Sequence, residues 1–216
     1  MSGPHPDLPM SEAWWRKRFE GDVAGVISAL AACGLTLEGS RVIDVACAYG
    51  VLALGLAQRG ADITAYDVDG VNTVTLAALA EEFAGIGELP ASLTASHRNP
   101  TEIPLPDASV DIALHWDQMD RLEEPVALFS EIARVLRPQR HLVMRAKLHQ
   151  PAVAQDAPPR TVMALDELQR CVQAAGLRLA WVDVTASPRH LDADLERFPL
   201  SRTALDEVTI VAVRGD

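Results

Sequence analysis

Cysteine is scarce: the chain has three in 216 residues. Cys33, Cys47 and Cys171 are odd in number and far apart, which excludes a disulfide framework and a zinc ligand cluster and leaves buried free thiols. Aromatic residues make up only 5%, so Trp14, Trp15 and Trp116 stand out as candidate pocket walls. Positive charge is in deficit. Lys and Arg total 19 against 30 Asp and Glu, a net charge of −11. Nucleic-acid binding needs clustered positive charge, and an anionic membrane surface needs the same, so both partners are disfavoured. No apolar run approaches the roughly 18 residues of a membrane span. The start, Met1 to Asp7, lacks the basic and apolar stretches of a signal peptide. The expectation is a cytoplasmic protein with no metal and no nucleic-acid or membrane partner. Gly-x-Gly-x-x-Gly is also missing, which weakens a nicotinamide dehydrogenase reading.

What is present is an alternation of strand and helix patterns in a chain that is 49% apolar. Residues 1–10 carry three prolines and read as a tail. From Ser11 the spacing of Trp15, Phe19, Val23, Val26 and Leu30 predicts a helix ended by Gly34. Strands are expected at 41–46, 61–67, 91–96, 110–115, 142–146, 177–184 and 208–213. Helices are expected at 51–58, 70–84, 126–136 and 165–175. Pro125 marks the start of the third of these and Pro138 its stop. Residues 149–160 read as loop. Repeated βαβ units imply a doubly wound, mostly parallel sheet with helices on both faces, closed by an antiparallel last strand. Residues 11–216 are expected to form one domain: a lid helix at 11–34, a ligand-binding core at 40–148 and substrate-side elements at 149–216.

In such sheets ligands bind beyond the carboxyl ends of the strands. The residues there are Asp44 to Gly50 after the first strand, Tyr66-Asp67 at the second, Arg98-Asn99-Pro100 after the third and His115-Trp116-Asp117 at the fourth. A carboxylate at Asp67 can accept from two ribose hydroxyls. The Asn99 amide can pair with an adenine edge. Each residue alone is as well explained as a loop acid or a turn residue; together, at successive strand tips, they favour a nucleoside site. His115 is the best general-base candidate, because histidine titrates near neutrality. Asp117 and Asp120 follow it. Cys47 has no histidine partner in its segment and reads as packing.

The segment Val42-Ile-Asp-Val-Ala-Cys-Ala-Tyr-Gly50 resembles the first motif of the class I S-adenosylmethionine-dependent methyltransferases, acid-x-Gly-x-Gly-x-Gly. Asn99 to Pro106 with Val110-Asp-Ile112, and Leu128 to Pro138, resemble later motifs of the small-molecule enzymes of that group, in order and at the right spacing. The resemblance implies a Rossmann-like seven-stranded fold and S-adenosylmethionine as cofactor. It implies that Asp44 faces the cofactor ammonium or orients its loop, and that Ala46, Ala48 and Gly50 bring the backbone close. Asp67 would hold the ribose and Val68 pack on the adenine. Asn99 and Pro100 would frame the adenine amino group, and His115 would sit beside the reacting methyl. Trp14, Trp15 and Trp116 would line the substrate chamber, with His115 or Asp120 as base. The implied function is methyl transfer to a small organic molecule by a monomer or homodimer.

Three departures matter. The first two motif glycines are Ala46 and Ala48, and the family's Pro-Gly-Gly turn is Pro138-Gln139-Arg140. If Ala46 or Ala48 must take positive φ, each costs roughly 1–2 kcal/mol, and about 1.4 kcal/mol is tenfold in affinity. Two alternatives therefore stay open: a non-methylating catalyst on the same fold (cyclisation, rearrangement or dehydration), or a non-catalytic binding subunit.

Overall fold

The computed structural model describes residues 12–118, 124–147, 165–185 and 207–216. Their elements run α1 (Glu12–Ala32), β1 (Arg41–Val45), α2 (Val51–Ala57), β2 (Asp62–Asp67), α3 (Gly70–Gly85), β3 (Leu93–His97), β4 (Val110–Trp116), α4 (Pro125–Val135), β5 (Leu136–Lys147), α5 (Leu165–Ala174), β6 (Leu177–Thr185) and β7 (Glu207–Arg214). The sheet has seven strands in the order β3-β2-β1-β4-β5-β7-β6. The expected loop at 149–160 lies outside the described residues. The chain packs as two compact units, Met1–Pro100 and Thr101–Asp216.

In the first unit β1 and β2 pair in parallel, as do β2 and β3. β1 is buried at four of its five positions, and every residue of α2 is buried. Such continuous apolar runs are what a strand and helix covered on both sides require. α1 packs on α2 with Val23, Val26 and Leu30 fully buried. Gly55 permits that approach, since a Cβ there would sit 2.5 Å from Val23 Cγ2. α3 starts on an Asp69 cap whose side chain accepts from the Val71 amide at 2.9 Å, satisfying one orphan donor of the first turn. Its buried face is Asn72, Thr73, Leu76, Leu79 and Ala80, while Val71 and Val74 are 71% and 70% exposed.

In the second unit β4 and β5 are parallel, and β7 pairs antiparallel with both β5 and β6. Leu128, Phe129 and Ile132 of α4 and Leu168 and Val172 of α5 are buried, as are Leu142, Val143 and Met144 of β5 and Ile210 to Ala212 of β7. Pro125 occupies the first turn of α4, where its missing N–H costs nothing. One expectation is corrected here. The sequence placed the end of this helix at 136 and the next strand at 142; the helix ends at Val135, but β5 begins directly at Leu136. Leu136 is already extended, with φ −63° and ψ 138°, and Arg137, the residue before Pro138, is held out of the helical region. The register then jumps from Val110↔Leu136 to Ile112↔His141, so residues 137–140 bulge opposite Asp111. Gln139 takes φ 60° in that bulge. Arg137 reaches Asp111 Oδ1 at 2.6 Å and Arg140 reaches it at 3.3 Å.

Candidate functional site

The first unit brings two acids to adjacent strand tips. Asp44 is 2% exposed on β1 and Asp67 is 3% exposed at the end of β2. Between β1 and α2 the chain turns through Ala46 (φ 62°), Ala48 (φ 49°) and Gly50 (φ 69°). The alternating left-handed turn is the one the motif's glycines would favour. Here two of its three positions carry a Cβ, at roughly 1–2 kcal/mol each. Four contacts hold the turn: the Cys47 amide donates to Tyr66 O at 3.0 Å, the Gly50 amide to Cys47 O at 2.9 Å, the Leu54 amide to Gly50 O at 2.9 Å, and the Ala48 amide to Asp67 Oδ2 at 2.7 Å. Gly50 has no room for a side chain, since a Cβ would lie 2.4 Å from Leu76 Cδ1.

The two acids differ in their surroundings. Asp67 Oδ1 accepts from the Asp69 amide at 2.8 Å and from Asn72 Nδ2 at 3.3 Å. Asp44 Oδ2 is buried without a hydrogen-bond partner among the described residues. Desolvation, and then the Asp67 charge, push the Asp44 carboxyl up to about 7. A buried acid with an unanswered oxygen calls for a cationic or hydrogen-donating ligand. Burial, then the charges of Asp44 and Asp67, hold the Cys47 thiol well above its ordinary value, which keeps it protonated and inert, as the packing reading requires.

Other predicted residues fall as follows. Val68 is 57% exposed beside Asp67. Asn99 is exposed two residues beyond β3 and Pro100 is buried. Trp14 and Trp15 lie on α1, but their side chains lie outside the described residues, and so does Asp120. In the second unit His115 is fully buried on β4 and Trp116 is 7% exposed at its end. Trp116 pairs with Arg145 of β5, and the Arg145 guanidinium lies 4.6 Å from the centre of the indole. Arg145 Nε donates to Asp117 Oδ1 at 2.8 Å, and its Nη2 pairs with Asp117 Oδ2. Asp117 itself holds φ 59°. Trp116 Nε1 is buried without a hydrogen-bond partner among the described residues.

Sequence reasoning missed three residues. Asn72 was hidden in a helix read from its valines. Arg145 was read only as part of a strand. Arg134 was passed over within the 128–138 motif. Its guanidinium gathers the Glu131 and Asp107 carboxylates and the carbonyls of Ile103 and Leu105, all at 2.6–2.9 Å. It thereby fastens the proline-rich segment before β4. A buried amide in an apolar helix was the one signal available for Asn72. The described residues contain no cluster of three metal-ligating side chains and no helix long and apolar enough to cross a membrane.

Strand order, loop and paired acids define a Rossmann-like fold. Residues 43–144 match the family model for the methyltransferase domain. A ubiquinone biosynthesis O-methyltransferase from Alkalilimnicola ehrlichii is 28% identical over 138 residues, which span 60% of this chain and 53% of that protein. The chain thus matches about half the length of that relative. Magnesium protoporphyrin IX methyltransferase from Synechocystis PCC 6803, with bound SAH, superposes with a TM-score of 0.69 at 19% identity, over 98% of this chain and 90% of that one. The same enzyme was also solved with bound SAM. The (4+2)-cyclase SpnF superposes with a TM-score of 0.68 at 20% identity, over 82% of this chain and 75% of that one. These structural likenesses speak for the fold.

Proposed function

We propose that the chain binds S-adenosylmethionine and transfers its methyl group to a small organic molecule. The observation that carries this reading is the buried acid pair at the tips of β1 and β2, with the unanswered Asp44 Oδ2 beside a left-handed loop. The residues present fit the cofactor. Asp44 would take its ammonium, the 46–50 backbone its carboxylate-bearing arm, Asp67 its ribose and the exposed Val68 its adenine, with Asn99 and Pro100 framing the adenine edge. When bound, S-adenosylmethionine supplies an electrophilic methyl carbon. The chain's own contribution is alignment and exclusion of water, plus removal of a proton where the acceptor is a hydroxyl or an acidic carbon.

His115 is assigned as that base and Asp120 as its substitute. Trp14 and Trp15 of α1, and Trp116 of β4, are the residues assigned to contact the substrate. Asp117 is a weaker base candidate than either, because both its oxygens face Arg145. The deficit of positive charge supports a small-molecule acceptor and no nucleic-acid partner, and the three scattered cysteines support a cytoplasmic setting. A monomer or homodimer suffices for this chemistry. The name of the 28%-identical relative makes an oxygen acceptor the first to screen.

The test is calorimetric titration with S-adenosylmethionine and S-adenosylhomocysteine, followed by a screen of small hydroxylated acceptors by product mass. Micromolar binding and a product heavier by one methyl are expected. Binding with a product of unchanged mass would replace methyl transfer by an isomerising reaction on the same fold. Folded protein that binds neither ligand would overturn the reading.

A further inference from the structure

We infer that Asn72 is a positioning residue of the nucleoside half of the site: its side-chain amide fixes the carboxylate of Asp67 for the ribose. The inference rests on the reading of Asp67 as the ribose acceptor. It goes further in naming a residue on α3 that acts through Asp67.

Asn72 is 6% exposed, on the buried face of α3 beside Thr73, Leu76, Leu79 and Ala80. An amide in that setting destabilises the fold unless it is hydrogen-bonded. Its Nδ2 donates to Asp67 Oδ1 at 3.3 Å. The same oxygen accepts from the Asp69 amide at 2.8 Å, and Oδ2 accepts from the Ala48 amide at 2.7 Å. Three donors from three segments (the loop after β1, the turn after β2 and the first turn of α3) therefore define the plane of one carboxylate. A carboxylate offers about four acceptor positions, so three are taken and the open one, on Oδ2, serves one ribose hydroxyl rather than the two expected from the sequence. Of the three donors Asn72 alone is a side chain, and so it alone can be removed without touching the backbone. A leucine at 72 would leave Asp67 held by the two backbone amides alone, with one donor fewer on Oδ1. The amide has a directional task there that packing does not supply.

Binding of S-adenosylhomocysteine to Asn72→Ala and Asn72→Asp, in the full chain, tests this. Asn72→Ala is expected to weaken binding about tenfold, the usual worth of a hydrogen bond to a charged group. Asn72→Asp puts a second carboxylate against Asp67 and is expected to weaken it further, with partial recovery as pH falls toward 5. A general loosening of the fold would give the same loss with any ligand. The titration is therefore repeated with the 2′,3′-dideoxy form of S-adenosylhomocysteine, for which the wild-type and Asn72→Ala affinities are expected to converge. Equal loss with both ligands, or no loss with either, would overturn the inference. If the wild type binds neither ligand, the functional reading falls. The positioning claim is then decided by nuclear magnetic resonance of the free protein. A downfield Asn72 side-chain amide proton that moves in Asp67→Ala upholds it, and an unshifted one overturns it.

Discussion

Arg145 lies flat over the ring of Trp116 while its guanidinium clasps Asp117, the next residue along. The Arg145 and Asp117 side chains are 15% and 4% exposed, so the ion pair is largely out of water. Removing one member of such a pair leaves an uncompensated buried charge, which costs about 3–5 kcal/mol. Arg145→Met is therefore expected to lower stability by about that much in urea unfolding. The Arg145→Met/Asp117→Asn double variant is expected to lose clearly less than the sum of the single changes. Additive losses would show that the pair is not coupled.

The left-handed backbone at Ala46, Ala48 and Gln139 makes a prediction with an unusual sign. Glycine normally weakens a fold through chain entropy, but at positive φ it relieves strain. Ala46→Gly, Ala48→Gly and Gln139→Gly are each expected to be neutral or stabilising by up to about 1 kcal/mol. Ala53→Gly, in the buried helix α2, is expected to cost about 1 kcal/mol or more. Gly50→Ala goes the other way, because it meets Leu76 as well as the left-handed φ; a loss of more than about 2 kcal/mol is expected. Denaturation midpoints of the five variants check the set.

Asp44 ties stability to pH. Its carboxyl is raised from 3.8 to about 7 by burial and the Asp67 charge. Between those values the native state keeps a proton that the unfolded chain has released. Its contribution to stability therefore falls as pH rises from about 4 to 7 and is flat above. Asp44→Asn removes that dependence, and the variant is expected to gain on the wild type as pH rises, by up to roughly 4 kcal/mol at pH 8. The same change should abolish S-adenosylmethionine binding. Melting temperatures of both proteins from pH 4 to 8 would contradict this if their difference stayed constant.

Arg134 gives the opposite dependence. Its hydrogen bonds hold Glu131 below the usual carboxylate range. A depressed acid contributes stability above its unfolded value and loses it as pH falls through the lower native one. Arg134→Leu is expected to cost about 2–3 kcal/mol at pH 7, because Glu131 and the Ile103 and Leu105 carbonyls lose their donor. It should also flatten the acid limb below pH 4.5. Arg134→Lys should rescue little, since an ammonium cannot span the same fork of acceptors. Thermal melts across the acid range measure both effects.

The elements legible in the sequence were those whose patterns have one explanation. β1, α2 and β2 came within a residue or two of their bounds, because continuous apolar runs between glycines leave little choice. Asp44 and Asp67 were legible as a pair because strand tips are where polar residues interrupt such runs. The start of β5 was not, since Pro138 reads equally as a helix stop or as part of a bulge, and only pairing with Val110 decides it. The buried face of α3 was obscured because apolar residues also lie on its exposed side: Val71 and Val74 drew attention, while Asn72 meets Asp67 through a contact that no spacing rule encodes. Arg145 was invisible for the same reason, its partners lying on another strand.

β7 is the last strand in sequence, yet it lies between β5 and β6. Among the described residues β6 has β7 as its sole neighbour in the sheet, and β5 gains its second neighbour only from β7. On the ribosome, β5 and β6 must therefore wait with open edges until residues 207–214 have left the exit tunnel. Unpaired strand edges are templates for wrong pairing, so assembly of this half of the sheet is a late event, and the interval before it is when the nascent chain is most in need of a chaperone.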